Sequence, residues 1–341
     1  MNGLAPSTTK NYKTGQTHFL RFAIRKKLPV SSMFPVTSMK ILAFVAYLFS
    51  LTQLLSYNTI KAYLCHVKTL YKMLAADTSA FSCERLAYAL RSVKRRRGGS
   101  RRKKRVPITI QLLLVFFTFL DPIFVTHHAL RAILAVGVYG LFRSGELVPK
   151  SRGADEENLL RRCNILWVSD CKVTIHLDQS KTDPFREGAD INLFRNDASS
   201  CPYTALRYHW ENAPDKSPTA PAFQNEDGSA VTYSQLSKAI KNLAMASGLD
   251  PSSISGHSMR VGGATSLALL GFPAHIIKEF GRWRSLSYQI YTRMSAEVHE
   301  SVAHSLGTEA LSKREQFFGG MALDDACKLS LDNIEIAFNG R

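Results

Sequence analysis

The stretch Gly256–Gly271 reads GHSMRVGGATSLALLG. His257 and Arg260 stand at i and i+3, so a helix presents both on one face. Ala264, Leu267, Leu269 and Leu270 can pack that helix, and Ser258 can help to initiate it. Gly262 and Gly263 weaken a helix from within, which points to a close backbone approach there. An imidazole titrates at about pH 6.5, whereas a guanidinium stays charged throughout the physiological range. Together they suit an anion: His257 can move a proton or donate a hydrogen bond, and Arg260 can hold two oxygens at once. A satisfied core histidine is the ordinary reading of a lone His; the arginine at i+3 favours function.

Three more clusters flank this one. Tyr139–Leu147 reads YGLFRSGEL and sets Arg143 in a turn at a helix end, with Glu146 placed to orient Arg143 or another basic group, or to be an ordinary surface acid. A phosphodiester carries one negative charge and gains more on attack, so Arg143 and Arg260 can strengthen their grip as the transition state forms. Gln179–Asp183 reads QSKTD, and Lys181 follows the strand-like run Val173–Leu177 at a hairpin tip; Lys172, earlier in the strand, is the runner-up lysine. Phe280–Trp283 reads FGRW and is followed by Tyr288 and by Tyr291-Thr292-Arg293. A phenol with a pKa of about 10 needs a cationic pocket to become a nucleophile, which these basic residues could form.

The chain has 341 residues, 45% of them apolar, and a net charge of +17. That length accommodates two domains of roughly 100–200 residues each, and the apolar content excludes a disordered chain. The charge favours a polyanion: nucleic acid, an acidic membrane surface or an acidic protein. Cys65, Cys83, Cys163, Cys171, Cys201 and Cys327 form no Cys-x-x-Cys pair and no zinc-type cluster, and Cys65-His66 lacks a partner pair. No metal is expected, and the scattered thiols read as reduced and intracellular. The polar start MNGLAPSTTKNYKTGQ does not read as a secretory leader, so the protein is not expected to be secreted. The longest apolar runs, around Ile41–Phe49 and Leu112–Leu120, fall short of the ~18–20 residues of a spanning helix, so no membrane partner is expected.

Periodicity predicts a mainly α protein with a small antiparallel sheet. Helices are expected from Ser7-Thr8-Thr9 through Phe22, after Pro35-Val36-Thr37-Ser38, after Ser56-Tyr57-Asn58-Thr59, and from Cys83 to about Val93. They form a helical domain over 1–93. The run 94–106 is a basic linker. Lys94, Arg95, Arg96, Arg97, Arg101, Arg102, Lys103, Lys104 and Arg105 make nine of its first twelve residues basic, split by Gly98-Gly99-Ser100. Such density predicts an extended tether. It can track phosphates, serve as a nuclear import signal, or simply be solvated. A mixed α/β domain follows over 107–315. It opens with helices at Leu112–Leu120 and from about His128 to Phe142. Strands follow at Ile165–Val168, Val173–Leu177 and Ile191–Leu193. Helices resume near Cys201-Pro202 and over Tyr233–Ala246, Met259–Leu270, Ala274–Phe280 and Leu286–Tyr291. A tail, 316–341, completes the chain.

In their order along the chain the four clusters resemble the tyrosine recombinase, or phage-integrase, family over roughly Pro107–Ser312. The N-terminal helices resemble, more loosely, the core-binding domain with which that family clamps DNA. The resemblance implies a mixed α/β catalytic domain and, with the helical domain, a C-shaped clamp on double-stranded DNA. It implies that Tyr291 attacks a phosphate held by Arg143, His257 and Arg260, giving a 3′-phosphotyrosyl intermediate. Lys181 protonates the departing 5′ oxygen as general acid, and Trp283 donates its N–H to the phosphate. Neither ATP, metal nor cofactor is implied, and the active form is a homotetramer exchanging C-terminal helices, for which residues after Ser305 are candidates. The chain departs from the family spacing, since Trp283 precedes Tyr291 by eight residues and Arg282 by nine. Trp283 is favoured as the residue facing the phosphate, with Arg282 as alternative; Tyr288 is the rival nucleophile. The Gly-Arg-Trp signature, the QSKTD hairpin and the basic run look most like eukaryotic mobile-element recombinases of DIRS or Crypton type, which implies DNA integration or transposition in the nucleus; a non-eukaryotic source would place it in the cytoplasm or nucleoid. A type IB topoisomerase and a domesticated DNA-binding protein without catalysis are the competing readings.

Overall fold

The computed structural model describes residues 6–97, 105–151, 159–178, 187–286 and 288. Over these residues the chain is mainly helical, with one small three-stranded antiparallel sheet, and it divides into two compact units, Met1–Lys104 and Arg105–Arg341. Among the described residues no helix is long and apolar enough to cross a membrane.

The first unit holds α1 (Pro6–Arg25), α2 (Ser38–Ser50), α3 (Tyr57–Met73) and α4 (Glu84–Arg97). The hydroxyl of Thr37 accepts from Lys40 N–H to start α2, and Ser56 accepts from Thr59 N–H to start α3. Phe19, Phe22, Phe44, Leu48, Ile60, Val67 and Tyr71 are buried between these helices. The Tyr71 hydroxyl donates to Met33 O at 2.6 Å, so the one polar atom this ring carries inside is satisfied. The expected stop near Val93 and the extended tether from Lys94 are corrected: α4 continues through Arg97. Cations are favourable at a helix C-terminus, where the backbone dipole is negative. Arg97 also folds back, its guanidinium 4.1 Å from the centre of the Phe49 ring and its N–H groups donating to the carbonyls of Phe49 and Leu55. Residues 98–104 lie outside the described residues.

The second unit begins with α5 (Ile110–Thr118), capped by Thr109, and α6 (Val125–Tyr139). Every residue of α6 from His128 to Val138 except Arg131 is buried, the pattern of a helix enclosed on all sides. A single turn, α7 (Ser144–Leu147), follows. The sheet runs β1 (Ile165–Ser169), β2 (Lys172–Leu177), β3 (Ala189–Phe194), with Ile175 paired to Ile165 on one side and Ile191 on the other. Its inner face buries Ile165, Val173, Ile175, Leu177, Ile191 and Leu193, as the alternation of the strands predicts. Then come α8 (Pro202–Asn212), α9 (Tyr233–Ala246), α10 (His257–Leu269) and α11 (Ala274–Phe280). Of the helix expected at Leu286–Tyr291, only Leu286 and Tyr288 are described.

The glycine pair of α10 performs the close approach its sequence suggested. A Cβ on Gly262 would sit 1.9 Å from Ile108 O, and one on Gly263 would sit 2.1 Å from Val138 O. Any side chain here would push α10 off α6 and off the segment before α5. The far end of α10 differs from expectation. Leu269 and Leu270 are exposed rather than packed, because Leu270 ends the helix in a turn at the surface.

His128 on α6 and His209 on α8 are buried with their Nδ1 atoms 2.8 Å apart. His209 Nε2 accepts from Gln224 N–H, so its Nδ1 carries the proton and donates to His128. Burial, then the charges of a protonated His128 and of Arg162, hold the His209 pKa down at about 3. Both rings are neutral when folded, and each takes a proton at about pH 6.5 when unfolded. Their contribution to stability is therefore complete above about pH 6.5 and is lost as pH falls, for His209 by about 1.4 kcal/mol per pH unit until its folded pKa of about 3 is reached. Urea unfolding should show the midpoint dropping between pH 7 and pH 5, and His209→Asn should make that drop shallower. An equally steep drop in the variant would place the proton uptake elsewhere.

Candidate active site

The turn that ends α6 puts Arg143 in place. Gly140 caps the helix, and a Cβ there would meet the Phe142 ring at 2.3 Å. Leu141 adopts a left-handed φ of 49°, which reverses the chain and ends the helix three residues before the expected Phe142. Arg143 then becomes the first residue of a capped turn. Its backbone N–H donates to Glu146 Oε2 at 2.9 Å and its Nη1 to Glu146 Oε1 at 2.7 Å. Glu146 holds a second cation as well, since Arg282 Nη2 lies 3.1 Å from Oε2. Glu146 thus contacts two basic residues, Arg143 and Arg282.

The start of α10 abuts this turn. A Cβ on Gly256 would lie 2.9 Å from the side chain of Ser144, so the first turns of α7 and α10 touch. Arg260 is 1% exposed and is the largest fully buried side chain among the described residues. It donates to Leu141 O and to Gly281 O, and its guanidinium sits 4.2 Å from the centre of the Trp283 ring. Trp283 belongs to a small apolar cluster with Leu141, Ala264, Ile277 and Tyr288. Tyr288, the rival nucleophile, is buried in that cluster with its ring 6.3 Å from that of Trp283. Arg282 has a left-handed φ of 57°. It turns the other way: its Nη1 donates to Gly140 O at 3.1 Å, and its guanidinium lies over the Phe142 ring.

His257 opens onto the solvent side of this group. Desolvation by the surrounding protein lowers its pKa, and the charges of Arg260, Arg105 and Arg143 lower it further. Arg105 therefore belongs to the electrostatic surroundings of His257, and the segment after it is pinned to the same region by Val106 N–H donating to Ser253 O and Ile108 N–H to Ser258 O. Sequence reasoning placed Arg105 in the linker alone. It also missed the Arg282–Glu146 ion pair, whose members are 136 residues apart and share no local pattern.

Arg143, Glu146, His257, Arg260 and Trp283 thus come together. Lys181 and Tyr291 lie outside the described residues, as do Arg101, Arg102, Lys103 and Lys104. The strands β2 and β3 that bracket Lys181 are present, and Glu187 beside β3 lies 3.7 Å from Arg284, next to Trp283. Lys94, Arg95 and Arg96 are exposed on the last turn of α4, whereas Arg97 is the residue held against Phe49.

No family model matches the sequence, and no curated protein matches it. Solved structures do match the fold. The XerH site-specific recombinase in a post-cleavage complex with palindromic difH substrate aligns with a TM-score of 0.58 at 18% identity, covering 86% of this chain and 78% of that one. The Tn1549 transposon integrase in complex with transposon right end DNA aligns at 0.56 and 15% identity, covering 89% and 95%. A lambda integrase dimer bound to a COC′ core site aligns at 0.52 and 16%, covering 86% and 90%. This chain has the tyrosine recombinase fold. Its mainly helical architecture and small antiparallel sheet are those expected from the sequence.

A neutral imidazole beside three guanidinium groups has a measurable signature. In the DNA-free protein, nitrogen-detected NMR should find His257 titrating below about 6.5, the ordinary imidazole value, and Arg143→Gln should raise that pKa. Pyrophosphate bound between the arginines should raise it too. A His257 pKa at or above the ordinary value in the free protein would show that the cations do not act on it.

Proposed function

We propose that this protein is a site-specific DNA recombinase that cuts and rejoins duplex DNA through a 3′-phosphotyrosyl intermediate. The observation that carries the reading is the convergence of Arg143, His257 and Arg260 at the touching first turns of α7 and α10, in a chain of this fold. Arg143 meets the non-bridging oxygens of the phosphate, and Arg260, buried behind it, adds its positive charge to the site, so that both favour the charge that grows there, the role that metal ions fill in other phosphoryl-transfer sites. Tyr291 supplies the phenol oxygen. The bond from that oxygen to phosphorus forms as the bond from phosphorus to the 5′ oxygen breaks. His257, kept neutral by its neighbours, can take the phenol proton, and Lys181 gives one to the departing 5′ oxygen. Rejoining runs the same steps backwards, so the energy of the broken bond is conserved and no ATP is consumed. Trp283 packs against Arg260 and holds it in plane.

The finer reading is a recombinase of a eukaryotic mobile element, DIRS-like or Crypton-like, acting on DNA in the nucleus as a homotetramer. The Gly281-Arg282-Trp283 signature, the Gln179–Asp183 stretch and the basic run support it.

A pool of nicked duplexes of randomised sequence, incubated with the protein and resolved under denaturing conditions, should yield a covalent protein–DNA adduct attached through Tyr291. Tyr291→Phe should abolish the adduct and leave binding unchanged. Arg143→Ala or Arg260→Ala should slow its formation by about 10²–10³-fold, the usual cost of losing one preorganised charge or donor that stabilises a developing oxyanion. Sequence-independent relaxation of any supercoiled plasmid by the wild-type protein would instead favour the topoisomerase reading. Replacing Lys94, Arg95 and Arg96 by Ala should reduce the slope of log binding constant against log salt by roughly 0.9 for each phosphate that is no longer neutralised. Arg97→Ala should instead lower the unfolding temperature of the first unit, because its guanidinium caps that unit's own carbonyls.

A further inference from the structure

The tripeptide Gly281-Arg282-Trp283 is tied to both arginines of the site, to Arg260 directly and to Arg143 through Glu146. Gly281 O accepts from Arg260, and the Trp283 ring covers that guanidinium. Arg282 reaches Arg143 through an intermediary. Glu146 binds Arg143 twice, at the backbone N–H and at Nη1, so it fixes both where that residue starts and where its side chain points. This two-point grip has an electrostatic consequence. A carboxylate 2.7 Å from Nη1 cancels the positive charge that a phosphate would need. Glu146 is 6% exposed on its side chain, so water screens little of that cancellation.

Arg282 stands where the deficit arises. Its Nη2 meets the same carboxylate oxygen, Oε2, that accepts from Arg143 N–H. Its Nη1 is anchored on Gly140 O and its plane rests over Phe142, so two further contacts hold it toward Glu146. Keeping it there is costly. Its φ of 57° lies in the left-handed region that strains a non-glycine backbone, and its buried Nε finds no hydrogen-bond partner among the described residues. A fold that only needed to pack this turn could use glycine or asparagine at 282.

We infer that Arg282 is a positioning residue that neutralises Glu146, so that Glu146 can orient Arg143 without cancelling its charge toward the phosphate. The triad of Arg143, Glu146 and Arg282 then presents one net positive charge, aimed through Arg143. Arg282 acts on the DNA only through the other two. This inference rests on the recombinase reading above.

The test is a charge cycle on the rate of covalent capture of the nicked randomised duplex pool. Arg282→Asn removes the charge and tolerates the left-handed backbone. It should slow capture by about tenfold or more while binding of the uncut duplex changes by less than about threefold. Adding Glu146→Gln to that variant should restore about tenfold of the rate, because it deletes the unbalanced carboxylate. A residue needed only for packing, or one that touched the phosphate itself, would show no such rescue; a double variant as slow as Arg282→Asn, or slower, overturns the inference. Should Arg282→Asn fail to fold, Arg282→Lys and Arg282→Gln decide the matter. At equal unfolding temperatures the lysine variant should capture DNA close to the wild-type rate and the glutamine variant should not; equal rates would refute the proposal. Absence of capture by the wild-type protein would refute the recombinase reading itself, whereas capture by wild type and by Arg282→Asn at one rate refutes only the role of Arg282.

Discussion

Everything in the second unit depends on where the Arg260 guanidinium sits. Removing a charge from water costs several kcal/mol unless hydrogen bonds replace its hydration. Arg260 gains them from the carbonyls of Leu141 and Gly281, one from the turn after α6 and one from the turn after α11, and its flat face is covered by Trp283. Two segments about 140 residues apart in the chain, around Leu141 and Gly281–Trp283, are thereby tied to one cation. The left-handed turn at Leu141 is what aims its carbonyl at Arg260 and leaves Arg143 at the start of α7, so the two guanidinium groups are linked through two peptide units of backbone.

That arrangement needs α10 to lie tightly on α6. The backbones of Gly262 and Gly263 come so near to Ile108 O and Val138 O that a methyl group on either would overlap them. A close-packed interior transmits such a displacement rather than absorbing it, and a fraction of an ångström at α10 is a fraction of an ångström at His257 and Arg260. Glycine destabilises this helix locally and yet sets the position of its chemically useful end. Arg282 is a parallel case: an unfavourable backbone angle and an orphaned N–H persist in the middle of the same site, held by an ion pair to Glu146.

Much of the fold was legible in short-range pattern. Thr37 and Ser56 cap the helices that their sequence positions announced, and the alternation of Val173–Leu177 matches the buried face of β2. These features act over one or two turns, so neighbouring residues suffice to read them. Long-range effects produced the misreadings. The repulsion expected to unravel Lys94–Arg97 is overcome by the helix dipole and by Phe49 and Leu55, more than forty positions away, to which Arg97 bonds. Leu269 and Leu270 have apolar side chains at helical spacing but lie where the helix runs out at the surface.

By itself, the sequence determined which chemical groups the protein has and how they are spaced: a histidine and an arginine on one helical turn, an arginine in a helix-end turn, an apolar helix for the centre and a net positive charge suited to a polyanion. Only the tertiary structure decided which groups meet. It sent Arg282 to Glu146 and Trp283 to Arg260, although the two are adjacent in the chain, and it brought Arg105 into the electrostatic field of His257. The physical reason is that an ion pair or a cation on a ring is set by separation in space, and a left-handed turn at one residue sends neighbouring side chains in opposite directions.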